Sequence, residues 1–356
     1  MRLSAASIWL FAIAGLIFAM ILVGGATRLT DSGLSITEWR PLLGAIPPLS
    51  AKEWANAFAL YQQIPEYAIQ NRGMSLEDFK VIYWWEWGHR QLGRIIGLAF
   101  AVPMVLLFLA RRLSRTDLPE LGLIFLLGGA QGAIGWWMVS SGLADARLDV
   151  SHYRLATHLG MALVLLVLVV LAAWKRALPV TGLAPAPRAL AWWIGLALGL
   201  AVLQAILGGL VAGLDAGRLN TDWPLFQGKL APASYWDLSP WWLNLGENIA
   251  SVQFNHRAGG YILVLTLTAL AIGAQRARGA SRAVKKWLWA CAGLGWLQAI
   301  LGVAYLVWHA PFAIALAHQG GGALLIAGLA TALAFTRASP APSRLSDGFR
   351  PIAANA

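Results

Sequence analysis

Two stretches of the sequence repeat each other and decide the architecture: His89–Leu98, "HRQLGRIIGL", and His256–Leu265, "HRAGGYILVL". Each begins with His-Arg, has a glycine four residues after the histidine and continues into an apolar run. A second pair of similar stretches is "ATHLGMALVLL" at 156–166 and "LAHQGGGALLI" at 316–326, each with a glycine two residues after the histidine. Repetition of this kind indicates a chain built from two similar halves.

Composition assigns the chain to the membrane. Of its 356 residues, 58% are hydrophobic and only 12% are charged, whereas soluble domains carry about 25% charged residues. Apolar runs of about twenty residues have the length that a helix needs to cross a bilayer. We therefore predict an all-α integral membrane protein with eight spans, at about 7–26, 86–110, 119–140, 152–174, 188–212, 250–273, 284–307 and 312–335.

The distribution of basic residues predicts the orientation. Lys and Arg collect in alternate loops, after the second, fourth and sixth spans and after the last one, and such loops are cytoplasmic. The net charge of +11 is explained in this way, and nucleic acid is not expected as a partner. Both termini are then cytoplasmic, and two long loops, 27–85 and 213–249, face outward. The first apolar run is too long for a signal peptide, so we expect an uncleaved anchor.

The repeat predicts two tandem four-helix bundles. The N-terminal half covers about 1–180, the C-terminal half about 185–340, and a cytoplasmic tail follows at 341–356. Four spans are an even number, so the two halves have the same orientation. They are then related by a pseudo-two-fold axis along the membrane normal, as parallel repeats are.

Four of the six histidines occupy equivalent repeat positions at similar depth near the outer side: His89, His158, His256 and His318. Ionisable groups inside a membrane are costly and indicate function. Two histidines that face each other from two helices of a bundle suit the axial positions of a haem iron. The alternative is that they are packing or interhelical hydrogen-bonding residues. Arg90 and Arg257 directly follow two of them and are candidates for pairing with haem propionates.

Glu86 breaks the symmetry of the repeat. It lies three residues before His89, on the same helix face, whereas the equivalent residue before His256 is Gln253. A carboxylate in one half only indicates that chemistry takes place in that half. The alternative is an ion pair with Arg90 or Arg94.

Three further residues have simpler interpretations. His152 and His309 have no matched partners, and we expect them at the surface or near a propionate rather than on the iron. Cys291 is the one cysteine, which excludes an internal disulfide and a multi-cysteine metal site, and we expect it to be a small core residue.

The outer loop and the motif that follows it resemble those of the heme A synthase family. The resemblance rests on "GGATRLTDSGLSITEWRPLLGAIPPLS" at 24–50, on "EWGHRQLGRIIG" at 86–97 and on the paired histidine spans, and it runs from about Gly24 to Phe335. The family has eight spans in two four-helix halves and oxidises a ring methyl of heme O to the formyl group of heme A. Some bacterial members carry a cysteine pair in the first outer loop. This chain has none there, as in the branch of proteobacterial and mitochondrial members.

The resemblance implies a role for each site residue. His89 and His158 would bind the substrate haem, His256 and His318 would bind a haem b, and Glu86 would be the essential acidic residue. It also implies a bacterial inner membrane location with haem sites toward the periplasm. Heme O, membrane lipid, heme O synthase, oxidase assembly factors and an electron donor are the expected partners, and a homo-oligomer is compatible with them. Two other classes fit the histidines less fully, namely a diheme cytochrome b-type quinol shuttle and a transporter built from parallel repeats.

Overall fold

The computed structural model describes residues 3–143, 148–177 and 187–336. The predicted cytoplasmic tail, 341–356, and the junction between the predicted halves lie outside the described residues. Within the described ranges, eight helices are long and apolar enough to cross a membrane. They are α1 (Ala5–Leu29), α4 (Leu76–Leu109), α5 (Leu118–Ser140), α6 (His152–Ala177), α7 (Arg188–Gly213), α8 (Ile249–Arg276), α9 (Arg282–Val307) and α10 (Phe312–Thr336). The outer loop adds α2 (Ala51–Tyr61) and α3 (Pro65–Ile69). The prediction of an all-α fold with eight spans is confirmed.

The predicted start of the second span is wrong by ten residues. Helix α4 begins at Leu76 rather than near Glu86, because Ser75 and Asp78 form a capping box at its N-terminus. The stretch 76–85 contains charged residues, so hydropathy alone does not assign it to a span. As a result His89 lies well inside the helix, about 20 Å from its start at 1.5 Å per residue.

The outer end of α4 packs against the first outer loop. Tyr61 of α2 and Phe79 of α4 are fully buried, and their ring centroids lie 5.3 Å apart. Tyr83 and Trp54 add an edge contact at 4.9 Å. These residues belong to a hydrophobic cluster separate from the membrane core, so the loop is a compact structure.

The spanning helices pack as two four-helix bundles. Neighbouring helices in the first bundle are α1, α4, α5 and α6, and those in the second are α7, α8, α9 and α10. Helices α1, α6, α7 and α10 also pack across the boundary between the bundles and supply much of one continuous apolar core. This packing agrees with a tandem repeat. The orientation of its symmetry axis along the membrane normal stays a prediction.

The two bundles differ in how tightly two equivalent helix pairs pack. Helices α8 and α9 pack closely, and a Cβ added at Gly295 of α9 would lie 2.8 Å from Leu267 of α8. Gly128, the equivalent residue of α5, is exposed and has no atom within 4 Å of such a Cβ. Gly132, one turn further along, is equally free. We call the loosely packed seam between α4 and α5, beside these two exposed glycines, the side opening.

Equivalent aspartates end the first helix of each bundle. Asp31 after α1 and Asp215 after α7 both have a φ of 48°, in the left-handed region that Asp tolerates better than most residues. Arg28 lies between them, with nitrogen–oxygen distances of 2.9 Å to Asp31 and 3.1 Å to Asp215. Asp149 approaches the same guanidinium at 3.4 Å. One arginine therefore joins the outer ends of the two bundles.

Candidate functional site

The four repeated histidines lie on α4, α6, α8 and α10, two in each bundle. In the second bundle the imidazoles of His256 (α8) and His318 (α10) have centroids 6.3 Å apart and planes at 82°. Two imidazoles on opposite sides of one metal ion, with metal–nitrogen bonds of about 2 Å, have centroids roughly 6 Å apart. The pair therefore has the spacing of two axial ligands. In the first bundle His89 (α4) and His158 (α6) occupy the equivalent positions of the repeat.

Each of these histidines lies against a glycine of a neighbouring helix in its own bundle. A Cβ built on the glycine would lie 2.8 to 3.3 Å from the imidazole Cε1 in every case. The pairs are Gly24–His89, Gly135–His158, Gly208–His256 and Gly302–His318. A Cβ at Gly135 would clash with His158, and at the other three glycines the imidazole would have to shift by a few tenths of an ångström. Four glycines thus fix how closely each ring approaches the neighbouring helix.

Two glycines that the sequence singled out have a different role. A Cβ at Gly160 would meet Ile206 of α7 at 3.0 Å, and one at Gly320 would meet Leu22 of α1 at 2.8 Å. Both contacts cross the boundary between the bundles. These residues therefore allow close packing of the two halves, and the glycines beside the imidazoles are those on the preceding helices.

Sequence reasoning also missed three glutamines. Gln131, Gln204 and Gln298 each donate a hydrogen bond from Nε2 to the main-chain carbonyl of the histidine on the next helix, at 2.9, 2.8 and 2.5 Å. In all three helices the glutamine precedes the glycine that faces the histidine by four residues. The shared stretches "AQGAIGWW", "LQAILGGL" and "LQAILGVA" contain this signal, but only the helix packing shows what it contacts.

Glu86 is buried, with 2% of its surface exposed, and both of its oxygens accept hydrogen bonds. Oε2 accepts from the Ser35 hydroxyl and from the Ile36 main-chain nitrogen, each at 2.7 Å. Oε1 accepts from the Arg90 guanidinium at 2.6 Å. The ion pair with Arg90 is thus present, and Glu86 also holds the first outer loop against α4.

The equivalent residue in the second bundle donates a hydrogen bond to its loop, whereas Glu86 accepts hydrogen bonds from its own. Gln253 donates from Nε2 to the carbonyl of Asn220 at 3.1 Å, and its own amide oxygen is buried without a partner. Asn220 corresponds to Ile36, since both lie five residues after the left-handed aspartate. One loop therefore donates an N–H to a carboxylate, and the other offers a carbonyl to an amide.

Arg90 and Arg257 make matching contacts with the outer loops. Arg90 donates to the carbonyls of Ile36 and Glu38, at 2.7 and 3.0 Å. Arg257 donates to the equivalent carbonyls of Asn220 and Asp222. Each guanidinium thus fastens an outer loop over its bundle. Pairing with a propionate stays a prediction for both.

The remaining candidates lie away from the histidine pairs. His152 is at the outer end of α6, with Nε2 3.6 Å from a carboxylate oxygen of Glu247 in the second outer loop. His309 is in the turn between α9 and α10 and has a φ of 56°. Cys291 is buried in the core against the backbone of Gly328, as expected.

The donors fit a haem. The second bundle offers two facing imidazoles and the first has histidines at the equivalent positions. The described residues contain no group of three or more His, Cys, Asp or Glu side chains that would hold a bare metal ion. A porphyrin supplies four ring nitrogens, so it needs only the two axial ligands. The Nδ1 atoms of His158 and His318 are buried without a partner, which indicates imidazoles arranged for an interaction beyond packing.

Comparison with known proteins shows the family to which the chain belongs. Residues 7–330 match the family model described as cytochrome oxidase assembly protein, and the chain belongs to this family. Among its relatives, the heme A synthase of Maricaulis maris is 49% identical over 329 residues, which are 92% of this chain and 95% of the relative. The heme A synthase of Dinoroseobacter shibae is 47% identical over 330 residues, or 90% and 85% of the two chains. The heme A synthase of Chelativorans sp. is 48% identical over 332 residues, or 91% and 89%.

Proposed function

We propose that this chain is a heme A synthase that oxidises a ring methyl of heme O to a formyl group. The observation that carries the proposal is the repeated pair of facing histidines in a chain that is 47 to 49% identical to heme A synthases over most of its length. It acts as a multi-pass protein of the bacterial inner membrane, with its haem sites toward the periplasmic side and its termini in the cytoplasm.

The two bundles divide the work in this proposal. The first, within 1–180, binds heme O between His89 and His158, and the second, within 185–340, keeps a haem b between His256 and His318. The packing of the helices supports this division. A substrate must enter and leave, and the first bundle has the side opening, whereas the equivalent helices of the second bundle are closed at Gly295.

Glu86 acts on the substrate in the first bundle. Its carboxylate lies one helical turn from His89, in a buried setting where a negative charge strongly stabilises a positive charge nearby. Loss of two electrons and one proton from the methyl group leaves a positive charge on its carbon, which the carboxylate stabilises while water adds and releases a second proton. The electrons pass to an external acceptor, and a second two-electron oxidation of the resulting alcohol gives the formyl group. Ser35 and Arg90 keep the carboxylate in place. The haem b supplies redox chemistry when bound.

The expected partners follow from this chemistry. Heme O arrives from the enzyme that makes it, the product passes to factors that assemble the oxidase, and an external donor or acceptor balances the electrons. A homo-oligomer is compatible with the exposed helix faces. The quinol shuttle and the transporter gain no support from the relatives, which are heme A synthases by name.

The test is extraction and mass analysis of haem from protein produced with a source of heme O. Wild type should yield heme A or a hydroxylated heme O, whereas Glu86→Gln should keep its haem and lose heme A formation by on the order of 100-fold. Glu120→Gln is the matched control, since this carboxylate pairs with Lys175 and Arg176 at the inner end of the same bundle. Normal heme A in Glu86→Gln would refute the role of Glu86. Haem b alone with untouched heme O in all three proteins would favour an electron carrier.

A further inference from the structure

The three glutamine–histidine pairs contain buried polar atoms that have no partner. The amide oxygens of Gln131, Gln204 and Gln298 are buried and accept no hydrogen bond. The Nδ1 atoms of His158 and His318, which belong to two of the same pairs, are also without a partner. A buried polar atom left unpaired is destabilising. Here an unused acceptor and an unused ring nitrogen occur together on residues that already share a hydrogen bond.

In the pair Gln204–His256 the glutamine amide also lies within hydrogen-bond distance of the imidazole ring. The Gln204 amide nitrogen is 2.8 Å from the His256 carbonyl and 3.0 Å from its Nδ1. The terminal amide therefore reaches both the main chain and the ring of the same histidine. The amide oxygen of Gln204 lies beside Gly259 in this arrangement, so the amide has to turn to bring Oε1 to Nδ1 while Nε2 keeps the carbonyl.

We propose that Gln131, Gln204 and Gln298 are positioning residues for the haem ligands and that each forms a two-point clamp on its histidine. In the haem-bound protein, Nε2 of the glutamine donates to the histidine carbonyl and Oε1 accepts the N–H of Nδ1. The proton is then fixed on Nδ1, and the lone pair of the imidazole Nε2 is free for iron. Histidines bound to metals commonly donate their second ring N–H in this way. The inference rests on the proposed haem sites.

His89 is the exception among the four ligands. Met20 occupies the place in α1 that Gln204 occupies in α7, because each lies four residues before the glycine that faces the histidine. The geometry matches as well: a Cβ on Gly93 would lie 3.4 Å from Met20 Cε, and one on Gly260 would lie 3.4 Å from Gln204 Nε2. A thioether donates no hydrogen bond and accepts only weakly. His89, in the bundle proposed for the substrate, is therefore the ligand without a clamp.

The experiment compares Gln204→Glu and Gln204→Leu with wild type, using the purified full-length protein with the haem it carries. Stronger acceptance from Nδ1 makes the imidazole a better electron donor and stabilises ferric iron. Gln204→Glu should therefore lower the midpoint potential of the haem b, whereas Gln204→Leu should raise it and reduce haem retention. A purely structural role of Gln204 would not shift the midpoint potential in opposite directions in the two variants.

Thr268→Val is the matched control. Thr268 accepts a hydrogen bond from Trp296 between α8 and α9 in the same bundle, and it lies twelve residues, or roughly 18 Å, along the helix from His256. This variant should keep the wild-type potential. Identical potentials and electron paramagnetic resonance spectra in both Gln204 variants would overturn the clamp. Conversion of heme O by the same wild-type preparation is scored separately: protein that carries haem b but makes no heme A would overturn the proposed function and not the clamp.

Discussion

At the scale of single residues, the two halves differ at one equivalent position, which is a carboxylate in the first bundle and an amide in the second. Glu86 receives an N–H from Ile36, and Gln253 gives one to Asn220, although Arg90 and Arg257 hold the two loops in the same way. The sequence alone revealed the Glu–Gln difference through the repeat. It could not reveal Ser35 and Ile36 as partners of Glu86, because residues about fifty positions away meet it only through the fold.

Met20→Gln should give His89 the contact with a glutamine amide that the other three repeated histidines have. The new amide can donate to the His89 carbonyl and accept from Nδ1, so we expect heme O to stay longer in the first bundle. Release of haem from the purified protein to an excess of apomyoglobin would measure this, with a release rate lower than that of wild type. Met20→Leu, which adds no amide, serves as the control, and equal release rates for the two variants would refute the prediction.

At the scale of secondary structure, the positions of the helices were largely predictable and their rotations were not. Apolar runs located eight spans, since hydropathy depends on composition alone. The faces that meet depend on packing, and for this reason the glycines beside the imidazoles were not identified from the sequence. The start of α4 was missed because its first ten residues carry charges and pack against a loop outside the apolar region.

Gly135→Ala and Gly132→Ala should differ sharply although both lie in α5. A Cβ at position 135 would stand 2.8 Å from the His158 ring, whereas one at position 132 meets nothing within 4 Å. Alanine favours a helix over glycine by about 1 kcal/mol. We expect Gly132→Ala to be neutral or slightly stabilising in thermal unfolding. Gly135→Ala should displace His158 and weaken heme O binding in a spectroscopic titration, and equal binding by both variants would contradict this account.

The outer loop should become less stable as the pH rises. Burial raises the pKa of Glu66 to about 7, although a hydrogen bond from Tyr61 at 2.7 Å opposes this. The folded loop then binds a proton more tightly than the unfolded one, whose ordinary pKa is 4.5. The free energy of unfolding of the loop is greatest below pH 4.5 and falls as the pH rises to about 7. The whole decrease is on the order of 3 kcal/mol, and the free energy stays low at higher pH.

Limited proteolysis of the loop at pH 5 and pH 8 would measure this loss. Wild type should be cleaved faster at pH 8. Glu66→Gln, which keeps an acceptor for Tyr61 and cannot ionise, should be cleaved at similar rates at both pH values once protease activity is normalised. A wild type with no dependence on pH would show that Glu66 remains ionised when buried.

At the scale of the whole molecule, the two bundles form one body with a shared core. The glycine contacts at Gly160 and Gly320 bring helices of different bundles together, and Arg28 joins their outer ends. The repeat in the sequence predicted two units but not how they contact each other. An arginine in α1 has no special feature by itself, since its acidic partners lie in three separate loops.

Arg28→Gln should loosen the attachment of the bundles. The variant leaves Asp31, Asp149 and Asp215 close together with only the more distant Arg218 to balance them, and the side chain of Arg28 is only 18% exposed. We expect a loss on the order of 2 kcal/mol in unfolding free energy, with partial recovery at high salt because salt screens the carboxylates. Thermal unfolding in detergent would measure it. Arg218→Gln removes a more exposed partner, 3.9 Å from Asp215, and should change little.

The side opening has a consequence for how the reaction rate responds to its substrate. A molecule that reaches the first bundle between α4 and α5 comes from the hydrocarbon phase of the membrane. The occupancy of the site in that bundle then depends on the mole fraction of the molecule among the lipids and not on its molarity in the bulk solution. Dilution of proteoliposomes with buffer should then leave turnover unchanged. Fusion with empty lipid vesicles should lower it, and added detergent should act as a dilution of the substrate and resemble a competitive inhibitor.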